Sequence, residues 1–354
     1  MEQQHFIPSN ILKSIYHNAP LPAPVNINIQ ITNQCNLRCE FCMYHSFLSK
    51  IPWRSGHASA SRLIHAIDEL AQIGTKHITL CAKGEPSYHP KFFDIVKAIK
   101  RHPMSLAIYT NLSAKSPSAV DAYCKADRLV INLSAVNEKS YDAIYAPQVS
   151  GVFHQVLNNI MVIRKISSPN KTPYLEMCYI ITNNNFRDIS KAIELAASCG
   201  IQNIQFKNMY KSLHTDSLEL NKAELKELHS IILDNIKHPT KVQTNLKVIL
   251  QELFSAHQIR VPFNHCFIGW FYLSLDPNGA VNLCSHNKFA NLGNWEKESI
   301  RDIWTRKLAS NYRKLARDHF DNKKIFGDHC NFCPYANTNA QIEALQNFSY
   351  TEQN

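Results

Sequence analysis

No stretch of this sequence is long and apolar enough to cross a bilayer, which takes about 20 such residues. The opening "MEQQHFIPSNILKSIYHNAP" has no apolar h-region, so no secretory signal is expected and the chain should be cytoplasmic. Glycine is scarce, at 9 of 354 residues, and low-complexity tracts are missing, which excludes long flexible linkers. Acidic residues are outnumbered, 28 against 38 Lys and Arg, leaving a formal net charge of +10. That balance suits an acidic small molecule or peptide. The lysines are dispersed, with "DNKKIF" the densest run, and no nucleic-acid motif accompanies them, so a nucleic acid is not the expected partner.

The chain is long enough for one large domain and a smaller one. From Val25 onward, strand-like and helix-like stretches alternate. "VNINIQIT", "HITLCA", "SLAIYTN", "RLVINLSA", "YLEMCYIIT" and "IQNIQFKN" read as strands. "SRLIHAIDELAQIG", "KFFDIVKAIKR", "SAVDAYCKA", "VFHQVLNNIMVIRKI" and "FRDISKAIELAASCG" read as the helices between them. Six such units predict an α/β fold with a parallel sheet, whose functional residues gather at the C-terminal ends of the strands. Near residue 210 the pattern changes to two helices, "NKAELKELHSIILDNIK" and "NLKVILQELFSAH", with no strand between them. Then "WFYLSLDPNGAVNLC" reads as a hairpin and "SIRDIWTRKLASNYRKLARDHF" as one long helix, with a short helix in the tail. The expected division is an N-terminal extension over 1–25, a core over 26–210, a helical connector over 211–259 and a C-terminal domain over 260–354.

Eleven cysteines are many for a reducing compartment, and their clustering points to metal rather than disulfides. Cys35, Cys39 and Cys42 lie within eight residues in "CNLRCEFC", just after the first strand, with no fourth cysteine nearby. Three thiolates can hold a cubane [4Fe–4S] cluster by three of its irons, leaving the fourth open. A zinc ion completed by His45 is the competing reading.

The surroundings of these cysteines resemble the radical S-adenosylmethionine (SAM) enzymes. Phe41 precedes the last cysteine, "KGEP" (Lys83 to Pro86) follows the second strand, "TNL" (Thr110 to Leu112) the third, and "INLSA" the fourth. The resemblance covers residues 26 to 207 and implies a partial, open (β/α)6 TIM-like barrel with a small α+β C-terminal domain. It implies that SAM chelates the open iron and that the reduced cluster cleaves it to methionine and a 5′-deoxyadenosyl radical. That radical takes hydrogen from a substrate C–H bond. By the same resemblance Glu85 helps hold the methionyl ammonium, Gly84 permits close approach and Pro86 stiffens the turn. Phe41 lies near the adenine, Ser134 meets the ribose or methionyl carboxylate, and Asn111 is a further SAM contact. Lys83 stands where the family usually has a glycine, and the arginine many members aim at the carboxylate has no counterpart in "YDAIYAP".

Cys266 is followed by twelve residues, Gly279, four more residues and Cys284, and "CNFC" later supplies Cys330 and Cys333. This layout resembles the SPASM/Twitch extension of radical SAM enzymes. Four cysteines match the smaller type with one auxiliary [4Fe–4S] cluster; a four-cysteine zinc knuckle is the alternative. A fully ligated cluster has no iron for substrate, so its expected use is electron transfer. That favours oxidation of a small polar, sugar- or aminocyclitol-like substrate, with a flavodoxin or ferredoxin as electron donor. A peptide-modifying maturase is the second reading, against which stands the short run before the first strand. A radical epimerase, with Cys178 or Cys199 returning hydrogen, is the third. A non-enzymatic iron–sulfur or zinc protein would have no use for "GEP" at a strand end. The remaining cysteines, Cys81 and Cys124 among them, read as small buried hydrophobes.

Overall fold

Alternation along the strands decides the architecture. In the computed structural model, which describes residues 9–49, 56–81, 83–166, 172–209, 215–238, 240–254, 265–285, 291–318, 330, 333 and 335–351, α1 (Ser9–Tyr16) precedes β1 (Asn26–Ile29). Then follow α2 (Ala60–Ile73), β2 (His77–Leu80), α3 (Phe92–Ile99), β3 (Ser105–Thr110), α4 (Pro117–Cys124), β4 (Arg128–Asn132), α5 (Glu138–Tyr145) and α6 (Val152–Ile166). β5 (Tyr174–Ile181), α7 (Ile189–Ser198), β6 (Asn203–Asn208), α8 (Lys222–Lys237), β7 (Gln243–Thr244) and α9 (Leu246–Phe254) come next. The C-terminal part holds β8 (Tyr272–Leu275), β9 (Val281–Asn282), α10 (Ile300–Thr305), α11 (Lys307–Asp318) and a last helix, Ala336–Thr351.

On β3, Leu106, Ile108 and Thr110 are buried while Ser105, Ala107 and Tyr109 are partly exposed; on β6 the same holds for Ile204 and Phe206 against Asn203, Gln205 and Lys207. A period of two sends one set against the helices and the other to the opposite face of the sheet. The helix-side set, including Ile27, Ile78, Leu129, Met177 and Leu273, forms one continuous core. The other face carries polar groups such as Asn28, Gln30, Glu176 and Ser274, the mark of a lumen rather than a second core.

The nine strands run in the order β7-β6-β5-β4-β3-β2-β1-β8-β9, and every pair is parallel except β8–β9. The six βα units thus form the open barrel. β8 of the C-terminal hairpin pairs directly with β1, Asn28 opposite Ser274, so both cysteine groups belong to one sheet. Gly279, at φ 91°, makes the hairpin turn in the left-handed region that glycine enters without steric cost. α1 packs with the C-terminal part: Ile11 and Ile15 share a small core with Phe267, Trp270 and Ile342.

Three expectations need correction. The two connector helices are separated by β7, whose Gln243 and Thr244 pair with Asn203 and Ile204. Two exposed polar residues at a sheet edge carry no periodic signal. The long helix is broken at Arg306, which is extended (φ −63°, ψ 155°). Its guanidinium reaches Leu292 O at 2.9 Å and Glu298 at 2.6 Å, contacts no local pattern encodes. The tail helix, at 16 residues, is longer than its polar sequence suggests. Among the described residues no helix is long and apolar enough to cross a membrane.

Candidate active site

The loop after β1 holds Cys35, Cys39 and Cys42 without regular structure of its own. Neighbours fix it instead. Arg38 N–H donates to Tyr145 O at 3.0 Å and Glu40 N–H to Ile144 O at 2.8 Å, so the end of α5 clasps the loop. The Glu40 carboxylate accepts Thr182 Oγ1 (3.1 Å) and Asn184 Nδ2 (2.9 Å) from beyond β5. Cys42 N–H turns back to Cys39 O at 3.0 Å, and Cys42 Sγ accepts the Tyr44 and His45 N–H groups at 3.4 and 3.3 Å.

Burial pushes the Cys35 thiol up to about 12, with the Glu85 and Cys42 charges adding to it. Burial also raises Cys39 well above the usual range, and the Cys42 and Cys35 charges add to it. Thiols held up in this way keep their protons in a dry loop and give them up only to a cationic group bound in their place, such as iron. Three thiols on one loop suit a cluster held by three of its irons.

The turn after β2 packs onto this loop by backbone. Gly84 N–H reaches Thr32 O at 3.3 Å and Glu85 N–H reaches Gln34 O at 2.8 Å. A Cβ at Gly84 would stand 2.0 Å from Gln34 O, so only glycine fits. Pro86 is buried and opens a single helical turn. Glu85 is 3% exposed. Its Oε1 accepts Thr110 Oγ1 (2.7 Å), Ser87 Oγ (2.9 Å), Ser87 N (3.2 Å) and Tyr123 Oη (3.3 Å). Its Oε2 accepts Asn111 N at 2.7 Å. Burial raises this carboxyl despite those donors. Any role toward an ammonium falls to a carboxylate that already joins the ends of β2 and β3.

Asn111 continues the bridge, donating through Nδ2 to Asn36 Oδ1 at 3.0 Å, while Asn36 Nδ2 donates to Ser113 Oγ at 2.8 Å. Leu112 sits at φ 54°, which explains why glycine is common there in related enzymes. Asn159 of α6 holds that bend, donating to Leu112 O and Ala114 O at 2.8 Å each.

Phe41 is 7% exposed and meets Tyr145 edge-on, ring centroids 5.8 Å apart. Ser134 is fully buried; its N–H donates to Tyr145 Oη at 2.6 Å and its hydroxyl oxygen accepts Ile180 N–H at 2.9 Å. A ribose or carboxylate contact is left only to a hydroxyl already engaged in the sheet. Tyr145 was not legible as a site residue, yet it joins Arg38, Phe41, Ser134 and Asn132 Oδ1 (3.1 Å). Tyrosines ending helices are common, and only the clasp shows what this one does.

Cys178 and Cys199 separate. Cys178 is on β5 opposite Asn132 and Gln205, on the lumen face. Cys199 caps the C-terminal end of α7, before β6 begins, and so lies at the opposite end of the sheet from the cysteine loop. That position rules Cys199 out as a hydrogen donor.

In the C-terminal part, Cys266 N–H donates to Ala316 O at 3.0 Å and Phe267 N–H to Asn339 Oδ1 at 2.9 Å. Burial raises the Cys266 thiol beyond the usual range, and Cys284, Cys333 and Cys330 all act on it. The Cys330 and Cys333 thiols are pushed up to about 11 and about 12, burial first and Cys284 next among the raising causes. Four thiols from three separate segments thus act on one another, with backbone N–H groups of Ile268 and Tyr335 on two of them. This donor set fits a fully ligated iron–sulfur cluster.

Both cysteine groups lie inside regions that match known families. The radical SAM superfamily profile matches residues 29–196, and the SPASM profile, an iron–sulfur cluster-binding domain, matches 266–334. A PqqA peptide cyclase of Methylorubrum populi is 22% identical over 301 residues, 82% of this chain and 74% of that protein. An S-adenosylmethionine-dependent nucleotide dehydratase of Selenomonas ruminantium is 27% identical over 168 residues, 45% of this chain and 57% of that protein. Among solved structures, Streptococcus suis SuiB bound to S-adenosylmethionine superposes with a TM-score of 0.63 at 16% identity, covering 86% of this chain and 70% of SuiB. Native anSMEcpe with bound AdoMet also gives 0.63, at 15% identity, with 90% and 89% covered.

Proposed function

This chain belongs to the radical SAM superfamily and carries a SPASM iron–sulfur domain, and from that premise we propose that it oxidatively modifies a peptide. Its cofactors are S-adenosylmethionine and [4Fe–4S] clusters. Cys35, Cys39 and Cys42 would hold the SAM-binding cluster, and Cys266, Cys284, Cys330 and Cys333 an auxiliary one. When bound, these groups supply SAM cleavage to the 5′-deoxyadenosyl radical, hydrogen-atom abstraction, and an acceptor for the substrate's second electron.

The chain's own part is positional. Gly84 and Glu85 brace the turn beside Cys35, Asn111 and Asn36 tie that turn to β3, and Tyr145 sets the loop against β4. β1–β8 pairing joins the strand before the first cysteine loop to the hairpin between Cys266 and Cys284. In the overall change the substrate loses a hydrogen atom, a proton and an electron, which closes a new bond or forms a carbonyl.

Similarity to the PqqA peptide cyclases carries the choice of substrate class. It spans 82% of the chain, well beyond the radical SAM domain, whereas similarity to the nucleotide dehydratase spans 45%. None of these relatives supports the sugar- or aminocyclitol-like substrate anticipated from the cysteine count. A flavodoxin or ferredoxin is the class of reductant proposed. Hydrogen return to an epimerised residue is the second reading, favoured by the lumen position of Cys178.

The test is anaerobic reconstitution followed by incubation with SAM, reductant and peptide libraries. The expected result is peptide-stimulated 5′-deoxyadenosine with a peptide product lacking two hydrogens. Stimulation by polyols and by no peptide overturns the reading.

A further inference from the structure

Lys207 stands near the C-terminal end of β6, at the same end of the barrel as the cysteine loop. It shares its face of the strand with Asn203 and Gln205, while Ile204 and Phe206 are buried against the helices. Its charge acts on Cys178 of β5, Tyr109 of β3 and Cys81 just after β2, and Nζ lies 5.9 Å from the Tyr109 ring centroid. A side chain on β6 can approach β2 and β3 only across the lumen, since β5 and β4 intervene in the sheet. Lys207 therefore projects into the barrel.

The other cations of this face are matched. Arg128 pairs with Glu176 at 2.6 Å, and Asn203 Nδ2 holds the same carboxylate at 2.8 Å. Lys83 pairs with Asp276. Among the described residues the Lys207 side chain makes no hydrogen bond or ion pair; Glu176 acts on it, but that carboxylate is already engaged by Arg128 and Asn203, and its stronger influences are two thiols and a phenol. A half-buried ammonium with no ion-pair partner of its own is costly, and an anionic group entering the lumen relieves that cost.

We propose that Lys207 is the anchor for a carboxylate side chain of the substrate, an Asp or Glu residue of the peptide, held in the lumen beside Cys81, Tyr109 and Cys178. This deepens the peptide reading above and rests on it. The anchored residue, or one next to it in the peptide, is then the one presented for hydrogen abstraction. The ammonium chooses the residue and takes no part in breaking the C–H bond.

The reconstituted enzyme is assayed for 5′-deoxyadenosine above the substrate-free background with two nonapeptide libraries, one with glutamate and one with glutamine at the centre. The expected result is a preference for the glutamate library on the order of tenfold or more, lost in Lys207→Met and restored in Lys207→Arg. Substrate-free SAM cleavage and the SAM-induced change in the EPR signal should be the same in all three proteins. Equal response to both libraries, or a preference that survives Lys207→Met, overturns the proposal. Loss of the SAM-induced EPR change in Lys207→Met also overturns it, because the anion held is then the methionyl carboxylate. Free N-acetylglutamate and N-acetylglutamine are run alongside. A Lys207-dependent preference for the free acid, with no response to either library, keeps the anchor and defeats the peptide reading instead.

Discussion

Lys83 and Asp276 form an ion pair across 193 residues of sequence, with side chains only 9% and 13% exposed. Lys83 opens the turn that braces Cys35, and Asp276 follows β8 in the C-terminal hairpin. Lys83 thus ties the turn after β2 to the C-terminal hairpin. Asp276 is itself held, its carbonyl accepting Trp295 Nε1–H at 2.9 Å.

Removing one partner leaves the other charge nearly dry. Lys83→Met or Asp276→Leu alone should each cost about 3 kcal/mol, and the double variant less than the sum. Urea denaturation of the four proteins checks this. Additive losses would show that the pair is not coupled.

Gly84→Ala places a methyl 2.0 Å from the Gln34 carbonyl oxygen, and backbone on both sides leaves nowhere for it to go. The turn and the cysteine loop must part. The expected outcome is a stability loss of about 3 kcal/mol and a weakened SAM-induced change in the EPR spectrum, with the auxiliary signal kept.

The two cysteine groups should lose iron independently. The intact protein should carry roughly eight irons, and Cys35→Ala or Cys266→Ala roughly four. Cys35→Ala should abolish the SAM-sensitive EPR signal and Cys266→Ala the SAM-indifferent one. Loss of both signals in either variant would contradict separate sites.

Glu69 of α2 caps α10, accepting Ser299 Oγ and the Ile300 and Arg301 N–H groups, both at 3.1 Å. Burial opposes its ionisation, but the three donors outweigh it and hold the carboxyl below its usual value. A carboxyl depressed by folding stabilises the fold above its unfolded pKa, and that contribution is lost as pH falls through the folded value. The stability difference between wild type and Glu69→Gln should therefore be full near neutrality and shrink below about pH 4.5. A difference constant down to pH 3 sinks the assignment.

Much of this protein is local in origin. Alternation or short apolar runs marked the six core strands, and period 3.6 the helices between them, because each element needs apolar residues against the core. Cysteine spacing marked the loop after β1 as the candidate cluster site, since three thiols within eight residues need little help from the fold to come together. Other features depended on distant chain. Cys266, Cys284 and the Cys330–Cys333 pair lie far apart in sequence, and the fold fixes Cys266 against α11 through its N–H bond to Ala316 O. The break at Arg306, the short edge strand at Gln243, the clasp by Tyr145 and the pairing of Lys83 with Asp276 arise from partners far away in sequence. Lys207 and Cys199 look alike in the sequence, one polar or small residue near an element's end. Only the strand order, which sets what faces the lumen, separates the half-buried ammonium inside the barrel from the thiol at its far end.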